Sequence, residues 1–242
     1  ITYEEKSFNF NSTISAMGYS SIDPRNRYVL TYYGSFYHSS NDGNNWLISN
    51  AFDGPDAHYF YGSTIWASQS TLGLVIIGGS GYSNPPVYIS YDHGFTFAAL
   101  DEGLPNTLVY ELAATPDDAY LFAATEVGPY VYITDDGEWT ELGGISSPDQ
   151  TYWSVEYIPE LNTARFGTYG RGIWDFIIVP ANISGDLNGD ANVNIQDLIL
   201  LVNFVLEIEE PDVSQMSAGD INGDMVLNIQ DIIATVNIIL GN

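Results

Sequence analysis

The first three quarters of the chain alternate short apolar runs with turns. The runs are rich in Tyr, Phe, Val and Ile, as in residues 27–33, 73–78 and 120–125, and they are bounded by Gly, Pro, Asn or Asp. Such runs predict β-strands, because β-branched and aromatic side chains fit a pleated sheet. No stretch up to about residue 180 keeps a 3.6-residue apolar period, so helices are not expected there.

The pattern changes after residue 180. Two loops rich in Asp, Asn and Gly are each followed by an apolar run, at residues 198–206 and 232–240. These runs predict two helices. We therefore expect two domains, 1–180 and 181–242, that meet at residues 179–182.

A turn motif recurs in the first domain at a spacing typical of propeller blades. Its glycines, Gly43, Gly94 and Gly137, lie 51 and 43 residues apart, and each copy follows an aromatic strand. The Asn or Asp side chain can accept hydrogen bonds from turn amides, and the glycine can take a positive φ. The pattern predicts a hairpin turn that closes one sheet after another.

The motif, Ser-x-Asp-x-Gly-x-Thr-Trp/Phe, resembles the Asp-box of sialidase-like β-propellers. Residues 90–97 match it fully, Asn41 replaces the Asp in the first copy, and the third copy is one residue short. The resemblance covers about residues 12–178 and implies a mostly β domain, a small or partial propeller of about four blades. The blades are expected to begin near Ile14, Thr64, Leu108 and Tyr152.

The fourth blade lacks an outer strand in this reading. Residues 7–10 alternate Ser, Phe, Asn and Phe, which suits a strand that could supply it. Three arrangements stay open: a small closed propeller, the end of a longer one, or a blade completed by a neighbouring subunit.

The second domain contains two copies of a possible cation-binding loop, offset by 34 residues. Oxygens at the first, third, fifth, ninth and twelfth positions, with the seventh carbonyl, can converge on one ion. An all-oxygen set of this size favours calcium over zinc or copper, so we predict two calcium ions. The predicted ligands are Asp186, Asn188, Asp190, Asn192, Asn194 and Asp197 in the first loop, and Asp220, Asn222, Asp224, Val226, Asn228 and Asp231 in the second.

One helix follows each loop and no EF-hand-type helix is expected before it. This duplication resembles the type I dockerin module over about residues 184–242. The resemblance implies a small helical domain with two calcium loop–helix repeats, bidentate ligation by Asp197 and Asp231, and a cohesin-like partner. At the sixth loop position Ala191 and Met225 replace the glycine of EF-hands, which requires a non-glycine residue in an awkward conformation.

Both helices also begin differently from most cohesin-binding dockerins. Ile195-Gln196 and Ile229-Gln230 stand where small hydroxyl residues are common. Because both copies changed in the same way, the symmetry of the module is kept. Its apolar face is expected to dock either on a cohesin-like domain or on another copy of this chain.

Charge and composition exclude several classes of function. With 5 Lys and Arg against 31 Asp and Glu, the net charge of −26 argues against nucleic acid as a partner. The absence of cysteine excludes disulfides and thiolate metal sites, and no apolar run is long enough for membrane insertion. We expect an extracellular or cell-surface protein.

Three functions remain. The leading one is a non-catalytic assembly protein, in which the calcium-loaded module attaches the propeller to a partner or to other copies in a fibre or surface layer. The second is the carboxy-terminal part of a secreted glycoside hydrolase or sialidase-like enzyme, although no catalytic residue stands out and the arginines do not suit a sialidase pocket. The third is a carbohydrate-binding adhesin, because some of the 18 tyrosines could stack on sugars.

Overall fold

The structure is a computed structural model that describes residues 5–58, 62–143, 147–178, 183–189 and 192–241. The chain divides into two compact units, Ile1–Ile177 and Ile178–Asn242. The boundary predicted at residues 179–182 lies outside the described residues.

Four antiparallel sheets, each a simple meander, make up the first unit. We call them blades 1 to 4. Blade 1 contains β1 (Ile14–Tyr19), β2 (Arg27–Thr31), β3 (Phe36–Ser39) and β4 (Leu47–Ile48). Blade 2 contains β5 (Thr64–Ala67), β6 (Val75–Gly78), β7 (Val87–Ser90) and β8 (Ala98–Ala99). Blade 3 contains β9 (Val109–Ala114), β10 (Tyr120–Thr125), β11 (Pro129–Ile133) and β12 (Glu138–Glu141), and blade 4 contains β13 (Tyr152–Ile158), β14 (Thr163–Thr168) and β15 (Ile173–Ile177).

The predicted fold class is confirmed. The blades begin at Ile14, Thr64, Val109 and Tyr152, so the four expected starts are met to within one residue. Between the blades lie aromatic and aliphatic cores. Tyr28, Leu30 and Phe36 of blade 1 pack on Val75 and Ile77 of blade 2, and a larger cluster joins blades 2 and 3 around Trp139.

The blades form an open series. The inner strands pack in order, β1 on β5, β5 on β9 and β9 on β13, but in the described part of the chain β13 does not pack closely against β1. Met17 and Tyr19 on the outer face of β1 stay largely exposed, as do Ile173 and Ile177 of β15. The closed four-bladed ring is therefore not the arrangement of this chain.

Residues 7–10 do not complete blade 4, which has three strands. They lie on blade 1, where the Phe8 and Phe10 rings contact Tyr37 and Trp46 at centroid distances between 4 and 7 Å. Of the three arrangements left open by the sequence, the one in which this segment completes blade 4 of its own chain is therefore not found. Its apolar side chains find their partners at the opposite end of the series.

The repeated turns are built by their own side chains. In the second copy the Ser90 hydroxyl accepts from Gly94 N at 2.8 Å, and the Asp92 carboxylate accepts from Thr96 N at 2.9 Å. Ser39 and Asn41 make the same bonds in the first copy, at 2.9 Å each. These side chains hold their turns together, which is a structural role.

The second unit contains α1 (Ile195–Val205), α2 (Val213–Gly219) and α3 (Ile229–Ile239). Its core consists of Leu187, Leu201, Phe204 and Ala218, with Leu227 and Ile232 packed against it. The short helix α2 precedes the second loop, where no helix was expected. It begins with a capping box, in which Asp212 accepts from Gln215 N at 2.8 Å and the Gln215 side chain accepts from Asp212 N at 3.0 Å.

Candidate calcium-binding site

Each predicted calcium loop ends in the first turn of a helix. Asn194, the N-cap of α1, accepts a hydrogen bond from Gln196 N at 2.8 Å, and Asp197 Oδ2 accepts from Asn194 N at 2.9 Å. Asn228 and Asp231 form the same capping box on α3. This reciprocal cap places the ninth and twelfth loop residues beside each other in both copies.

The twelfth-position carboxylates are the best-held side chains of the unit. Asp197 has no exposed surface and also accepts from Leu187 N and Asn188 N at 2.9 and 3.0 Å. Asp231 is equally buried and accepts from Ile221 N, Asn222 N and Asn228 N at 3.1, 3.4 and 3.0 Å. An ionised carboxylate has about four lone-pair sites, so three amide bonds leave room for a cation.

The first-position carboxylates fold each loop onto itself. Asp186 is buried and accepts from Gly189 N at 2.8 Å. Asp220 accepts from Asp224 N at 3.1 Å and from Met225 N at 2.7 Å. These bonds draw the middle of each loop back towards its start.

The predicted ligands in the middle of each loop bond to other loop residues where the structure describes them. Asp190 lies outside the described residues. The Asn192 and Val226 carbonyls accept from the Asn194 and Asn228 side-chain amides at 3.3 and 3.1 Å. Asp224 accepts from Val226 N at 2.9 Å. Among the described residues no three acidic or histidine side chains are arranged as a group that could hold a metal ion.

Met225 supports the predicted loop conformation. Its φ is +66°, the left-handed turn that EF-hand loops make with glycine at this position, while its side chain is exposed. The expected strain at the sixth position is therefore present in the second loop, and Ala191 lies outside the described residues. Because the donors are carboxylate, amide and carbonyl oxygens on a loop with this turn, the residues fit calcium.

The eleventh-position glutamines have a role that the sequence did not reveal. The Asn188 side-chain amide donates to Gln196 Oε1 at 3.4 Å, and the Asn222 amide donates to Gln230 Oε1 at 3.1 Å. Each glutamine thus orients the asparagine at the third loop position: the asparagine's NH₂ group points to the glutamine, and its side-chain oxygen points away from it. The only signal in the sequence was the occurrence of Gln at the same position in both copies.

The outer surfaces of α1 and α3 carry matching apolar residues. Ile195 and Ile199 on α1 are 60% and 56% exposed, and Ile229 and Ile233 on α3 are 61% and 56% exposed. Residues four apart lie on one face of a helix. Each calcium loop is therefore followed by an exposed isoleucine pair on the helix that it caps.

Comparison with known families supports the assignment of this unit. Residues 184–240 match the model of the dockerin type I domain. The carboxy-terminal unit is dockerin-like. Type I dockerins bind calcium, typically bind cohesin partners, and occur in secreted or cell-surface proteins. No curated protein matches the chain at a significant level. None of the helices in the described part of the chain has the length and apolar character needed to cross a bilayer.

Solved structures resemble the first unit in fold. A GH74 enzyme from Niastella koreensis matches 66% of this chain with 20% identity and a TM-score of 0.51. The GH74 xyloglucanase from Xanthomonas campestris matches 66% with 15% identity and a TM-score of 0.53, and the extracellular domain of a putative hybrid two-component system from B. thetaiotaomicron matches 68% with 14% identity and 0.50. The chain spans 27%, 28% and 20% of these structures, respectively.

The first unit also contains a polar cleft between the inner strands of blades 2, 3 and 4. Its volume is about 400 Å³, and it is lined by Trp66, Gln69, Glu111, Glu156 and Tyr157 among others. Glu111 accepts from Val155 N at 3.1 Å, and burial raises the pKa of its carboxyl, with a smaller effect from Glu156. A half-buried carboxyl group with a raised pKa is a feature that acid–base chemistry can use.

Proposed function

We propose that this protein is an extracellular, non-catalytic assembly protein whose dockerin-like unit, loaded with two calcium ions, attaches the blade unit to a protein partner. The observation that carries the proposal is the pair of exposed isoleucines repeated on α1 and α3. Exposed apolar patches on monomeric proteins mark interaction sites. The twelve oxygen ligands predicted from the sequence form the two calcium sites in this proposal.

Calcium would couple folding of the unit to attachment. Residues 182–242 contain ten acidic residues and no Lys or Arg, so the unit repels itself without cations. Ions that bind only the folded form stabilise it by mass action. Because α1 and α3 begin at the loops, calcium would also fix the helices that present the isoleucine pairs.

The partner in this proposal is a cohesin-like domain, and a second copy of the chain is the alternative. Light scattering on the intact protein, with calcium and then with excess chelator, separates the two. Assemblies that grow in calcium and lose that increase on chelation identify the chain as its own partner. A mass that calcium does not change, with calcium-dependent capture on an immobilised type I cohesin domain, identifies the cohesin-like partner.

A variant tests the surface itself. Ile199→Glu combined with Ile233→Glu places a charge on both isoleucine pairs, and we expect calcium-dependent capture or assembly to be lost. Val213→Glu is the matched control, because Val213 is an exposed apolar residue on α2, outside the repeat. Calcium must still raise the melting temperature of both variants. Attachment that survives the double substitution would refute the proposed surface.

A glycoside hydrolase is the second candidate, favoured by the cleft around Glu111. Hydrolysis of a glycosidic bond needs one protonated and one ionised carboxyl group, and Glu111 and Glu156 would take these roles. Incubation with a glycan panel tests it, with Glu111→Gln as the variant and Glu126→Gln, outside the cleft, as the control. Binding to glycans without hydrolysis would instead favour the adhesin.

A further inference from the structure

The two ends of the blade series are incomplete in complementary ways. Blades 1 to 3 have four strands each, whereas blade 4 ends at β15. The outer edge of β15 has no partner strand among the described residues. At the other end, residues 7–10 lie beside blade 1, outside any strand, and make no backbone-to-backbone hydrogen bond within the described part of the chain; the Phe10 carbonyl accepts from the Tyr37 hydroxyl at 3.1 Å.

The outer face of blade 1 contains an apolar groove. We call it the blade-1 groove; its volume is about 690 Å³, and it is lined by Phe10, Ile14, Met17, Tyr19, Arg27 and Trp46 among others. Its floor is the free face of β1, because Ala16 and Gly18 turn the other way, towards blade 2. Met17 is 73% exposed and Tyr19 64%, which is unusual for large apolar residues on an inner blade strand.

The outer face of blade 4 presents the matching chemistry. Phe166 on β14 faces Phe122 of blade 3, so its neighbour Arg165 faces outwards, with Asp175 beside it in the sheet register. Ile173 and Ile177, which flank Asp175 on the same face, are each 71% exposed. We call this surface the blade-4 face. It combines two exposed isoleucines with a charged row across the strands.

We propose that the blade-4 face of one copy packs into the blade-1 groove of a second copy, as the next blade of a continuous series. Ile173 and Ile177 then lie against Met17 and Tyr19. The open edge of β15 comes beside residues 7–10 of the second copy, which pair with it as the missing fourth strand. Strand addition at an open edge supplies main-chain hydrogen bonds and fixes the register.

The directions of the phenylalanine side chains and the charges of the two surfaces agree with this contact. Phe8 and Phe10 already face the groove side of their own blade 1, so pairing leaves their contacts with Tyr37 and Trp46 intact. Lys6 and Arg27, two of five basic residues in a chain of net charge −26, line the groove. On the blade-4 face Asp175 is paired with Arg165 at 2.7 Å, so the basic residues of the groove meet a row of charges that is already paired. In so acidic a chain, such a contact avoids bringing two unpaired acidic surfaces together.

Because one end binds the other, the contact is heterologous and generates a ring or a filament. It uses no residue of the dockerin-like unit, so it does not depend on calcium. This separates it from the proposed attachment, which chelation abolishes.

The absence of native cysteine allows a direct test. In excess chelator, the intact chain carrying Met17→Cys and Ile177→Cys is treated with a short bismaleimide. We expect a ladder of species at multiples of the 26.6 kDa chain mass. Either single variant gives no ladder. Leu72→Cys with Ile177→Cys is the matched control, because Leu72 is an exposed apolar residue in a turn of blade 2; it also gives none.

Two further measurements complete the test. Met17→Glu should reduce the mass found by light scattering in chelator to that of one chain, without changing the melting temperature of the blade unit. A peptide of residues 5–11 should shorten the ladder, and the same peptide with Ser in place of both Phe residues should not. A single-chain mass of the unmodified protein in chelator, or equal cross-linking in the control pair, would overturn the proposal while leaving the calcium-dependent attachment untouched.

Discussion

The buried carboxylate of Asp231 should stabilise the helical unit even without calcium. It accepts three backbone hydrogen bonds in a site with no exposed surface. Asp231→Asn keeps the size of the side chain but replaces one acceptor oxygen by an NH₂ group, which faces a backbone donor. At least one of the three backbone amides then loses its partner at a buried side chain.

The magnitude follows from the three bonds. An unsatisfied buried donor costs about 1–3 kcal/mol, and the bonds that remain weaken from about 1.5–3 to about 0.5–1.5 kcal/mol each when the acceptor loses its charge. Part of this is offset because a neutral group is easier to bury. We expect a loss of about 3 kcal/mol in the calcium-free free energy of unfolding, a large fraction of the stability of so small a unit.

Asp224→Asn is the matched control, because Asp224 is exposed in the same loop and water can replace its contacts. It should leave calcium-free stability almost unchanged and weaken only the response to calcium. Urea unfolding in chelator, followed by circular dichroism at about 222 nm, reports the α-helices, which in the described part of the chain all lie in this unit. Tryptophan fluorescence reports the other unit, since all five tryptophans precede residue 178. Equal calcium-free stability of the two variants would refute the reasoning.

Three further predictions concern other sites. Burial, and to a lesser extent His93, lowers the pKa of His38 from 6.5 to about 4, so below pH 6.5 the unfolded chain binds a proton that the folded chain excludes. The free energy of unfolding of the blade unit should therefore fall by up to about 3 kcal/mol between pH 6.5 and 4. His38→Gln should flatten this pH dependence in melting followed by fluorescence. Met225→Gly should relieve the positive φ and stabilise calcium-free protein by about 1 kcal/mol in urea unfolding, whereas Met225→Ala should not. Trp139→Ala should lower the free energy of unfolding of the blade unit by about 3–5 kcal/mol in calorimetry, because Trp139 is buried and donates to the Leu100 carbonyl at 2.7 Å. Trp174 is only half-buried, so Trp174→Ala should lower it clearly less.

The blades could be predicted from the sequence because their information is local. Each aromatic strand is followed by its own turn, and Ser90 and Asp92 fold that turn without help from distant residues. The starts of the blades therefore follow from the repeat. The helices of the second unit were predictable for the same reason, since Asn194 and Asn228 cap them locally.

The position of residues 7–10 could not be predicted in this way. Their alternation indicates a strand-like segment but does not say which sheet it contacts, and Trp46 and Tyr37 of blade 1 compete with blade 4 for the same phenylalanines. Helix α2 was missed although Asp212 and Gln215 form a capping box, because seven residues are too few to show an apolar period. The ligand positions in the loops remain predictions from spacing.

The nearest-neighbour packing of the blades has a consequence for how the molecule loses its structure. In a closed propeller every blade has two neighbours, whereas here blades 1 and 4 each have one. Linear arrays of this kind have stabilities that add up repeat by repeat, so they fray from their termini. In the Met17→Glu chain, which should not pack on a second copy, amide hydrogens of β1 and β15 should therefore exchange faster than those of β6 and β10. Such an array can also gain or lose a blade during evolution without having to close a circle again.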